Sequence, residues 1–69
     1  MNPDLMQIPK RIKELREILD ISVESIADNL GISAQEYSKL ESGEKDIPIS
    51  MLYEIAIILD TDATVLLTG

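Results

Sequence analysis

Sixty-nine residues support one domain, and 45% hydrophobic content with three glycines and three prolines argues for a compact helical bundle over a disordered tail. The chain has no cysteine and no histidine, which removes disulfide staples, thiol and imidazole nucleophiles and the common zinc sites, so helix packing must carry the stability of a small core. Thirteen acidic residues against six basic ones give a net charge of −7, a balance that by itself argues against a polyanionic partner.

Residues 1–7 read as an arm leading into the domain at residues 8–69, and they lack the basic and apolar regions of a signal peptide. No apolar run approaches the roughly 18 residues of a membrane span, so a cytoplasmic protein is expected. A first helix follows, with Pro9 in its opening turn and Ile8, Ile12, Leu15 and Leu19 forming one apolar stripe. Its charged side carries Lys10, Arg11, Lys13 and Arg16, among which Glu14 and Glu17 make weak helical pairs on a solvated face.

Ser22 is suited to cap a second helix, in which Ile26, Ala27 and Leu30 recur at helical spacing until Gly31 ends it in the left-handed conformation. Ser33 and Glu36 then form the serine and glutamate pattern of a capping box, with Tyr37 and Leu40 facing inward behind it. Tyr37 reads as core, with a hydroxyl that needs water or a partner. Ala34, Gln35, Ser38, Lys39 and Ser42 remain outside. Two short helices around a tight glycine turn, the second showing glutamine, lysine and small residues outward, make a helix-turn-helix that can enter a DNA major groove.

Ser42 to Asp46 reads as a polar turn, and Pro48 with Ser50 announces a helix running to about Leu59, with Leu52, Ile55, Ala56 and Leu59 as its core positions. Tyr53 and Ile57 fall on the far side of that helix, one turn apart, where a monomer exposes them and a dimer or domain contact would cover them. A turn at Asp60 and Thr61 leads to Asp62 as the cap of a final short helix through Leu67. Enzymatic readings find no support. There is no glycine-rich phosphate loop, Asp60-Thr61-Asp62 lacks the glycine and later glutamate of a calcium loop, and nothing calls for a cofactor or metal.

Four blocks, RIKELRE (Arg11 to Glu17), SIADNLGIS (Ser25 to Ser33), KLESG (Lys39 to Gly43) and VLLTG (Val65 to Gly69), stand in the order seen in one family. From Ile8 to Gly69 the chain resembles the phage repressor and Cro type helix-turn-helix regulators, bacterial relatives of the xenobiotic-response-element repressors. DIPISMLYEIA (Asp46 to Ala56) is similar to a subset in which this domain precedes a C-terminal cupin barrel that senses small molecules. The resemblance implies an all-α five-helix fold, double-stranded DNA as partner, a homodimer, and in longer relatives a sensor domain.

Carried onto matching positions, the resemblance implies that Ala34, Gln35, Ser38 and Lys39 read bases while Ser22, Ser33, Ser42 and Lys45 meet the DNA backbone. Glutamine suits adenine, lysine suits guanine, and alanine suits a thymine methyl. It also implies that Arg16 and Glu41 form a largely internal ion pair. Four positions depart from the pattern. Val23 stands where a phosphate-clamping glutamine is usual, Tyr37 where isoleucine or valine is preferred, and Glu44 and Asp46 occupy a loop that commonly carries bases. These departures and the acidity keep a second expectation open, a protein interaction or dimerisation module of the same fold with little or no DNA binding.

Overall fold

The computed structural model describes residues 7–68, which form α1 (Gln7–Ile18), α2 (Val23–Leu30), α3 (Ala34–Ser42), α4 (Ile49–Ile58) and α5 (Ala63–Thr68), with no strand among the described residues. Gln7 is the first residue of α1, where its side-chain oxygen accepts from Arg11 Nη2 at 2.8 Å. The remainder of the expected arm, residues 1–6, lies outside the described residues. No described helix is long and apolar enough to cross a membrane.

Helix ends set the path of the chain. Ser22 and Ser33 both hold extended backbone and turn their hydroxyl oxygens onto the third residue ahead, accepting from Ser25 N at 3.1 Å and Glu36 N at 3.0 Å. Each satisfies one of the donors a helix start leaves unpaired, a contribution of about 1 kcal/mol. Only half of the capping box forms, because the Glu36 carboxylate turns toward Lys45 Nζ at 3.9 Å rather than back to Ser33.

Four helices stop by one device, a left-handed residue whose amide and the next amide bond back to the last turn. At Gly31 these bonds run to Asp28 O (3.1 Å) and, from Ile32, to Ala27 O (3.0 Å). A Cβ built on Gly31 would meet nothing within 4 Å, so glycine is needed there for its φ of +75° and not for space. Gly43 ends α3 likewise at φ +86°. The same device closes α1 and α4 at Asp20 (φ 60°) and Asp60 (φ 55°), which the sequence does not signal with a glycine.

An aspartate held left-handed is strained and sets a carboxylate against the negative end of its helix. Asp20→Gly and Asp60→Gly are each expected to raise stability by about 0.5–1 kcal/mol, read as a higher urea midpoint. A lower midpoint would mean that the carboxylate makes a stabilising contact.

The core gathers Ile12, Ile26, Ala27, Tyr37, Leu40, Leu52, Ile55, Ala56, Leu59, Ala63 and Leu66. Through these, α3 packs on α1 and α2, α4 packs on α2, and α5 closes the far side against α1 and α4. The four positions expected of α4 are all buried. Leu19 is a correction: it is 46% exposed, because α1 ends at Ile18 and the turn at Asp20 carries the chain off the apolar stripe. Arg16, grouped by sequence with the bases of α1 and expected to pair internally with Glu41, is buried at 8% exposure.

Candidate nucleic-acid interface

The position of α3 is fixed from behind by polar chemistry as well as by packing. Arg16 Nε donates to Glu41 Oε2 and Nη2 to Oε1, both at 2.9 Å, a two-pronged pair with both side chains about nine-tenths buried. The third prong, Nη1, donates to the Ile21 carbonyl at 2.8 Å. One guanidinium thus ties α1 to α3 and to the turn that launches α2. The bond to Glu41 holds the Arg16 pKa above its ordinary value, outweighing burial.

Tyr37 lies against this pair at 1% exposure, and its hydroxyl is buried without a hydrogen-bond partner. It is core, out of reach of any phosphate. Burial first, then the neighbouring Glu41 carboxylate, push its pKa well above that of an ordinary tyrosine. Because the folded chain keeps the phenol protonated while the unfolded chain releases it above about pH 10, the contribution of Tyr37 to stability is constant below that pH and falls above it. The expected loss is about 1.4 kcal/mol per pH unit. Tyr37→Phe is expected to abolish this limb in urea titrations at rising pH while holding or raising stability at neutral pH. An unchanged alkaline limb would assign it to other groups.

With its back held, α3 turns Gln35, Ser38, Lys39 and Ser42 to solvent. Ala34 is half-buried against the core, which leaves it at the margin of this face. Caps and first intrahelical bonds use the Ser25, Ile26, Glu36 and Tyr37 amides, leaving those of Val23 and Glu24 at α2 and of Ala34 and Gln35 at α3 as outward donors. Val23 itself is half-buried against the core, an apolar anchor for the start of α2.

The other end of α3 is committed internally. The Lys39 carbonyl accepts from Glu44 N (3.0 Å), Lys45 N (3.2 Å) and Ser42 Oγ (3.1 Å). Ser42 Oγ also stands 3.3 Å from Glu44 Oε2. Neither those two amides nor the Ser42 hydroxyl is free to receive a phosphate without breaking a bond.

Protein belonging to a repressor class should match along most of this scaffold, and the helix-turn-helix family model matches residues 12–66. The chain belongs to the helix-turn-helix family, of the Cro and phage-repressor type. No curated protein and no solved structure matches it. It is thus a DNA-binding helix-turn-helix domain of transcription regulation, with α2 and α3 as the motif.

The electrostatics of this helix-turn-helix domain are unusual for a DNA partner. Of the bases on α1, Arg16 is bound to Glu41 and Arg11, half-buried, donates to the Leu66 carbonyl at 3.1 Å as well as to Gln7, so Lys10 and Lys13 are the exposed ones. Near the motif stand Lys39 and Lys45, the latter 3.9 Å from Glu36. Glu24 and Glu36 occupy the first turns of α2 and α3, stabilising those helix starts while lying where an approaching phosphate would sit. The bonds of Arg11 were missed by sequence reading, which counted it with the free bases; no local spacing signals a partner 55 residues away.

Proposed function

We propose that the chain is the sequence-reading module of a cytoplasmic transcriptional regulator, laying residues 33–42 in the major groove of double-stranded DNA. The observation that carries this is the outward face of α3, where Gln35, Ser38 and Lys39 are exposed while the Arg16–Glu41 pair grips the helix from behind. Gln35 is the reader suited to adenine and Lys39 to guanine, with Ala34 and Ser38 as flanking contacts. Ser22 and Ser33, at helix starts that retain outward amides, are the better supported backbone contacts; Ser42 and Lys45 must first release internal partners.

Two copies would meet half-sites about one DNA turn apart, ~34 Å centre to centre. With so few free bases, affinity at physiological salt falls in the range of about 10⁻⁴–10⁻⁶ M usual for weakly held complexes. A C-terminal cupin sensor would be the natural partner domain in a longer regulator. Selection from random duplexes at low salt, repeated at higher salt, is expected to enrich a short motif in both. Failure to enrich any motif would overturn sequence reading.

A second reading, an interaction module with little DNA binding, is favoured by Tyr53 at 57% and Ile57 at 77% exposure on a chain of net charge −7. Sedimentation with and without duplex DNA separates the two, since only the first reading expects a DNA-dependent complex.

A further inference from the structure

The start of α1, the loop after α3, the first turn of α4 and the end of α5 leave a groove of about 340 Å³ between them. Its walls are apolar. Pro9 and Leu52 are buried, Ile8 and Ile47 half-buried, and Ile49 (60%) and Leu67 (40%) stand exposed beside them. A space of this size can take a ligand or a short segment of chain. Lys45 and Asp46, both exposed, bring opposite charges to the groove, so it offers an ionic occupant no net attraction.

We propose that Leu5 seats in this groove, folding residues 1–6 back across the start of α1. Pro9 is the third residue of α1, and a helix begun one residue earlier would require from it an amide that proline lacks. The helical path therefore starts where the groove opens, since Ile8 and Pro9 also form its α1 wall. Counting back from Gln7, Met6 holds the N-cap position and Leu5 the position before it, from which an apolar side chain commonly turns back onto the first turn of its helix. The usual target, four residues into the helix, is here the exposed Lys10. The apolar surface within reach is the groove.

Composition and tethering select the same occupant. Met1, Leu5 and Met6 make half of residues 1–6 apolar, and Asp4 is their one charged side chain. At ~3.3–3.6 Å per residue the six residues reach about 20 Å at most. Attachment beside the groove gives them a local concentration on the order of millimolar, which a separate molecule must exceed to displace them. Once seated, Leu5 braces residues 43–47 from α1 and so steadies the loop that carries Lys45 beside Glu36.

This inference stands apart from the reading of DNA, and its test uses none. In the isotope-labelled full chain, nuclear Overhauser contacts are expected between the methyl groups of Leu5 and those of Ile47 and Leu52, unchanged on dilution. Leu5→Ser should lower the melting temperature by several degrees, whereas Leu5→Met, which keeps an apolar side chain, should hold it. In a chain already carrying Ile47→Ala, the loss caused by Leu5→Ser should shrink, because one wall of the seat is gone. Absence of methyl contacts between Leu5 and the groove would overturn the proposal. So would contacts that fade on dilution, which would place the segment of a second copy there, or an equal loss from Leu5→Ser in both backgrounds.

Discussion

Glu41→Ala is expected to remove most of the folded population, lowering stability by about 3–5 kcal/mol. Arg16 is 8% exposed and spends two of its three hydrogen bonds on Glu41, so deleting the carboxylate strands a buried guanidinium. A single core of this size rarely supplies more than about 3–5 kcal/mol in total, which makes the loss comparable with the whole. At roughly 4–8 °C per kcal/mol, the melting temperature should fall by tens of degrees. Glu44→Ala removes an exposed carboxylate of the next loop and should change stability by about 0.5 kcal/mol or less. Replacing both partners, as Arg16→Met with Glu41→Leu, is expected to recover much of the loss, because no unpaired charge then remains inside. Thermal melts followed by circular dichroism decide it, and equal shifts for Glu41→Ala and Glu44→Ala would deny the pair its role.

On the motif selected from random duplexes, Gln35→Ala is expected to cost about 1–3 kcal/mol and to relax preference at a single base pair. Lys39→Ala should weaken binding and lower the slope of log affinity against log salt by about 1. Glu36→Gln should act in the opposite direction. It removes a carboxylate from the first turn of α3 and releases Lys45, 3.9 Å away, for the backbone. Fluorescence anisotropy over a salt series measures all three. Identical affinity and slope for wild type and Lys39→Ala would move the DNA contact off α3.

Much of this architecture is written locally. The serine caps, Gly31, and the apolar positions of α2, α3 and α4 each follow from a preference that acts within one helical turn, and these suffice to place the motif. What local pattern misreads is where tertiary geometry intervenes. The four-three-four spacing continues through Leu19 although α1 has already ended, because Asp20 takes a left-handed conformation that its side chain does not advertise. Arg11 and Arg16 look alike in a basic cluster, yet each is held by a partner distant in sequence, Leu66 and Glu41. Arg16 is paired with a carboxylate, so the free positive charge available to DNA is smaller than composition indicates, whereas Arg11 bonds only neutral oxygens and keeps its charge. At the candidate site, outward orientation of Gln35, Ser38 and Lys39 follows from helical phase, whereas internal bonding of Ser42 and the loop amides depends on how the chain turns at Gly43.

Reading by α3 is tested most directly by following backbone amide resonances of the isotope-labelled chain as duplex DNA carrying the selected motif is added. Shifts concentrated in residues 33–42 and at the start of α2, with α4 little changed, are the expected result. Silence along Gln35 to Lys39, or shifts confined to the face of Tyr53 and Ile57, would contradict it.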